Sequence, residues 1–248
     1  MARFKSINDI CNQVALETGI PRTQDIFSTA DKSYEQLIAL ANACGYELIQ
    51  YNQWQQLVRP YQIITVNTDN GIYNLPSDYA YMIDQTGWER TNKYPITSPL
   101  SAQEWAYLAG RDFTSDTIYI SMRLQQGKIY VYPYAEGAAV PDGLSINFEY
   151  VSRNWVYENG NEANPTDHVA NTSDLVLFEP YMFERLLKAR FLEARGFDST
   201  KAHDQFELAV MSWTGKDEGA RVLNAGGIRR TDPLLNAFCN VGDTGYGR

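Results

Sequence analysis

The side chains able to do bond chemistry are few in this chain of 248 residues: Cys11, Cys44 and Cys239, His168 and His203, and thirty acids. A zinc cage needs four N or S ligands gathered by short clips such as Cys-x-x-Cys. The cysteines are dispersed and odd in number, and the histidines lie far apart. Neither a metal site nor a secreted disulfide framework is expected; the cysteines read as reduced thiols, the first two on helical core faces. His168 falls in a polar loop and His203 on a helix surface beside Asp204, so both read as solvated rings. No Gly-x-Ser-x-Gly elbow, no phosphate loop ending in Lys-Ser/Thr and no His-Glu-x-x-His helix occurs. Glycosidase-like catalysis needs two carboxylates across a cleft. Glu104 with Asp112 and Glu149 with Glu158 are candidates, but thirty acids supply such pairs in any case. The sequence predicts no catalytic residue, no cofactor and no metal.

The elements that would position such side chains change period along the chain. Ile7, Ile10, Cys11 and Val14 form the stripe of a short helix, with Ser6 as N-cap and Gly19-Ile20-Pro21 as stop. A longer helix is predicted from Lys32 to Gln56 on Tyr34, Leu37, Ile38, Ala41, Cys44, Leu48 and Tyr51; Gly45 inside it implies a close neighbour or a kink. Short β-branched and aromatic runs follow: Tyr61–Val66, Ile72–Leu75, Tyr81–Asp84, Thr117–Leu124, Lys128–Pro133 and Ser145–Val151. Gln126-Gly127 reads as a tight hairpin turn, and Ser101 with Glu104 as the capping box of an inserted helix. Two further helices carry Met182, Phe183, Leu186, Leu187, Phe191 and Ala194, then Ala202, Phe206, Ala209, Val210 and Trp213, joined at Gly196-Phe197-Asp198.

The expected fold is α+β: a helical bundle of N-terminal (1–58) and C-terminal (174–223) helices, an inserted antiparallel β domain (59–173) and an extended arm (224–248). Residues 159–173 hold almost nothing to bury and read as a solvated or partner-ordered loop. The arm cannot fold alone, yet Ile228, Leu234, Leu235 and Phe238 recur within it among Arg229 and Arg230, as in a segment ordered against another chain.

Charge narrows the partners. The net charge is −9, with 13 acids against 7 bases in residues 59–172. No face is expected to hold duplex DNA by counterion release. Tyr130, Tyr132, Tyr134 and Tyr150 alternate as in a base-stacking platform, but without interleaved Lys or Arg they read as core and surface of a sheet. The start reads as no signal peptide, and no apolar run is long enough to span a membrane. A reducing, aqueous compartment is expected.

Several motifs resemble the head-to-tail adaptors of short-tailed bacteriophages, the tail tubular protein A group. They are Leu75-Pro76-Ser77-Asp78-Tyr79, Ile83-Asp84-x-x-Gly87-Trp88-x-Arg90-Thr91-Asn92 with Pro95, and Pro99-Leu100-Ser101-x-x-Glu104-Trp105. Phe148-Glu149-Tyr150-Val151-Ser152-x-x-Trp155-Val156 and the helix from Leu186 to Asp198 fit as well. The likeness covers roughly residues 1 to 223 and is carried by structural motifs. It implies a dodecameric homo-oligomeric ring between portal protein and tail nozzle protein, with DNA passing through without specific binding. The implied location is the virion head–tail interface after assembly in the host cytoplasm. Helices would pack between neighbouring subunits, and the arm would reach the portal through Ile228, Arg229, Arg230, Leu234, Leu235 and Phe238. Asn70 and Gly71, with Asn161 and Asp167, would meet the tail or adjacent subunits. The rivals are a virion-associated peptidoglycan-degrading accessory protein and a carbohydrate-binding module using exposed Tyr and Trp.

Overall fold

Ser6 opens the first helix, α1 (Ile7–Glu17), by accepting a hydrogen bond from Asp9 N at 3.1 Å, so its stripe Ile7, Ile10, Cys11 and Val14 enters the core in register. In this computed structural model residues 4–66, 71–96, 99–110, 120–132 and 142–217 are described, and they form an α+β fold. The second helix, α2 (Lys32–Tyr51), is capped by Asp31 through Ser33 N. It ends five residues earlier than the apolar pattern predicts. The reason is Trp54, which is buried and folds its indole N–H back onto Leu48 O at 2.7 Å, satisfying a carbonyl the last turn leaves open. A 3₁₀ turn at Gln55–Leu57 then leads into β2 (Val58–Ile64).

Helix α4 (Pro180–Ala194) packs against α1, α2 and α5 (Thr200–Asp217). It ends in a Schellman motif: Gly196 has φ 76°, Phe197 N donates to Leu192 O and Gly196 N to Glu193 O. Trp155 stacks on Phe178 and Phe183, with centroids 6.0 and 5.6 Å away, and its ring covers Gly45 so closely that a Cβ there would collide with it. The glycine serves close approach, one of its two predicted uses. Beside the helices lies a sheet of order β1 (Lys5–Ser6), β12 (Leu175–Val176), β10 (Val156–Tyr157), β11 (Pro165–Thr166).

A second core lies between two antiparallel sheets. One pairs β2 with β9 (Ser145–Ser152), whose other edge takes β4 (Tyr79–Met82) and then β5 (Trp88–Glu89), with β6 (Tyr94–Pro95) outermost. The other has the order β3 (Ile72–Asn74), β8 (Lys128–Tyr132), β7 (Ser121–Gln125). Ile63, Ile146, Phe148 and Tyr150 of the first sheet share one apolar cluster with Met122, Ile129 and Val131 of the second. The predicted turn is present: Gln126 and Gly127 both take positive φ, 51° and 72°, the signature of a type I′ hairpin. Helix α3 (Ala102–Gly110) carries the predicted capping box and sets Trp105 edge-on to Tyr130.

The boundary between the helical and β parts differs from the sequence division. Trp155, Val156 and Val169, all within 59–173, bury in the same core as α1, α2 and α4. The 159–173 segment is also held by its own chain rather than left free. Buried Asp174 accepts hydrogen bonds from Asn159 N, Ala170 N and Asn171 N at 2.8–2.9 Å, and Val169 N donates to Asn42 Oδ1. Tyr51 and Ala194, expected on buried stripes, are exposed. The compact unit ends at Glu218.

Candidate interaction surface

The hairpin of α4 and α5 carries the most exposed apolar side chains among the described residues. Helix α5 buries one side normally, through Ala202 and Phe206, with Ala209, Val210 and Trp213 packed against the core. Phe206 meets Tyr51 edge-to-face at 5.5 Å. The opposite side should be polar in a surface helix. Instead Leu208 and Met211, one turn apart, are 68% and 72% exposed.

Between the first turn of α4 and the second half of α5 runs a groove of about 300 Å³, walled by Tyr181, Met182, Leu208, Ser212 and Trp213 with Glu179 and Lys216 at its edge. Trp213 Nε1 is buried with no acceptor, a donor whose desolvation is uncompensated. The Lys216 ammonium sits 5.9 Å from the Trp213 ring. Behind the groove, the Arg185 guanidinium lies 5.1 Å from the Tyr181 ring and donates to both oxygens of Glu17 at 2.6 and 2.9 Å. Lys188 adds a third contact at 2.9 Å. Partial burial pulls the Glu17 carboxyl up, but the hydrogen bonds from Arg185, Lys188 and Gln13, with the Arg185 charge, outweigh it and hold it at about 2. Arg190 pairs in the same way with Glu47 of α2 at 2.6 Å and with Glu193. The basic residues of α4 thereby fix the outer hairpin to α1 and α2.

The other singled-out side chains lie elsewhere. Gly71 is buried and its carbonyl accepts from Val131 N at 2.8 Å. Asn161 is exposed and caps its own turn through Ala163 N. Asp167 contributes its carbonyl to Trp155 Nε1 at 2.7 Å and its carboxylate to His168 Nδ1 at 2.8 Å. His203 reaches Glu193 at 3.9 Å. The Glu104 carboxylate is spent on Ser101, whose N–H and hydroxyl pull its pKa down. Glu149 is exposed on β9, and Glu158 lies in a 3₁₀ turn after β10. Cys11 and Cys44 are free and buried, and burial pushes both thiols up to about 12. Among the described residues no group of three His, Cys, Asp or Glu could hold a metal, and no helix is long and apolar enough to cross a membrane. Asn70, Asp112, Tyr134, Cys239 and the arm residues Ile228, Arg229, Arg230, Leu234, Leu235 and Phe238 lie outside the described residues.

Sequence reasoning missed the outward stripe of α5, because Leu208 and Met211 fall between the residues of the stronger inner stripe. The i, i+3 spacing of two large apolar residues off the core face was the available signal. Compared with known proteins, the chain matches no family model and no curated sequence.

Proposed function

We propose that this protein is a structural virion component, a ring-forming head-to-tail adaptor that joins the portal to the tail nozzle around the DNA channel. The observation that carries the reading is the double-sided helix α5, with Leu208 and Met211 facing solvent while Ala202 and Phe206 are buried and Ala209, Val210 and Trp213 pack partly on the core. A lone subunit has no need of that second apolar side; a subunit packed between neighbours buries it. The resemblance adds direction. Its motif residues do architectural work here: Asp78 receives Tyr150 OH and Ser152 Oγ at 2.9 and 2.6 Å, and Glu104 caps α3.

On this reading the four long helices are the bundle and the sheets the inserted part. The arm couples to the portal, with Ile228, Leu234, Leu235 and Phe238 filling apolar grooves and Arg229 and Arg230 pairing with acidic rims. Asn70, Asn161 and Asp167 face the tail or the next subunit, whereas Gly71, buried and bonded to Val131 N, does not. A net charge of −9 suits a channel through which DNA slides without sticking.

The test is negative-stain microscopy of the full-length chain mixed with portal rings made from the same genome. The expected result is an added ring layer, absent for the double variant Leu208→Asp/Met211→Asp with an unchanged circular dichroism spectrum. A variant that still adds the full layer would overturn the reading.

A further inference from the structure

We infer that copies of this chain join head to tail, Phe197 of one copy entering the α4–α5 groove of the next. This deepens the adaptor reading and rests on it. Phe197 sits just past the Schellman turn at the far end of the α4–α5 hairpin and is 65% exposed. The groove lies toward the other end: its α5 wall runs from Gln205 to Lys216 and is centred roughly 16 Å along the helix from Thr200 at 1.5 Å per residue. One copy therefore cannot satisfy its own groove.

The two ends are complementary in shape and in charge. Groove and ring are an apolar hole and an apolar knob. Beside the knob stand Asp198, kept ionised by its bonds from Thr200, and Lys201; at the groove stand Lys216 and Glu179. Docking sets Asp198 against Lys216 and Lys201 against Glu179. In a ring each copy gives its knob to one neighbour and takes the other neighbour's knob in its groove, a heterologous contact. It propagates from copy to copy and closes into a ring when its rotation divides the circle. Reciprocal seating of both knobs in a two-fold dimer is the alternative, and it stops at two copies.

The experiment is cysteine crosslinking in the full-length chain carrying Cys239→Ser, with Cys11 and Cys44 remaining as buried thiols. Ser199→Cys, two residues past the knob so that Phe197 is kept, and Ser212→Cys in the groove are introduced singly and together and oxidised with copper–phenanthroline. The expected result is a ladder of covalent species beyond the dimer for the double variant only. Absence of crosslinks, or products that stop at two copies, would overturn the inference. Portal-ring binding by the same variants before oxidation reports separately on the adaptor reading, which stands if binding persists without a ladder and falls if the unsubstituted chain never binds.

Discussion

At Gly45 a single hydrogen atom decides whether α2 can lie against Trp155. Alanine would gain about 1 kcal/mol of helix propensity but would drive a methyl into a ring clamped by Phe178 and Phe183. Overpacking costs about 1–3 kcal/mol and more where neighbours cannot yield. Gly45→Ala is therefore expected to lower stability by about 2 kcal/mol in urea unfolding, and a neutral or stabilised variant would contradict the packing described. Asp174 is a second such point: its buried carboxylate accepts from three backbone N–H groups. Asp174→Ala strands those donors, at about 1–3 kcal/mol for a buried unsatisfied group. Hydrogen exchange should accelerate more at Asn159, Ala170 and Asn171 than in β7 and β8.

Elements show where reading the chain succeeded and where it stopped. Local signals worked: the Ser6 and Ser101 caps, the Gln126-Gly127 turn and the inner stripes of α1, α2, α4 and α5 depend on neighbours within a few residues. The short strands β1, β5, β6, β10, β11 and β12 span two residues each and carry no period. They exist through pairing with distant partners, such as Lys5 with Val176. The candidate surface was only half legible for the same reason. The inner face of α5 announces itself, whereas a groove arises only when α4 and α5 meet. The bridge between α1 and α4 was equally hidden, since Glu17, Arg185 and Lys188 are remote in sequence. Its pH dependence follows from the lowered carboxyl. The folded state favours ionised Glu17, so the contribution is complete above about pH 4.5 and is lost as pH falls toward about 2. Glu17→Gln should be less stable than the parent by on the order of 1–2 kcal/mol near neutrality, after solvent screening. The two stability curves should converge through that acid window; a gap that stays constant down to pH 2 would contradict the ion pair.

For the whole molecule the decisive feature is the β2–β9 ladder, paired from Val58 with Val151 to Ile64 with Ser145. Val151 belongs to the core of the helices, and its neighbour Tyr150 to the core between the sheets. Opening either core frays a strand on which the other depends, so residues 4–217 should unfold as one cooperative unit rather than as a bundle and a separate insertion. In the proposed adaptor role this coupling means that a load applied to the sheets reaches the helices without a flexible joint. Phe148→Ala, a change confined to the second core, should cost about 3–5 kcal/mol. Its signature is a single calorimetric transition moved to lower temperature, with near-ultraviolet signals from the first-core residues Trp54 and Trp155 lost at the same point. Two resolved transitions, with the first core melting at its original temperature, would mean that the cores stand independently and that the shared ladder transmits nothing between them.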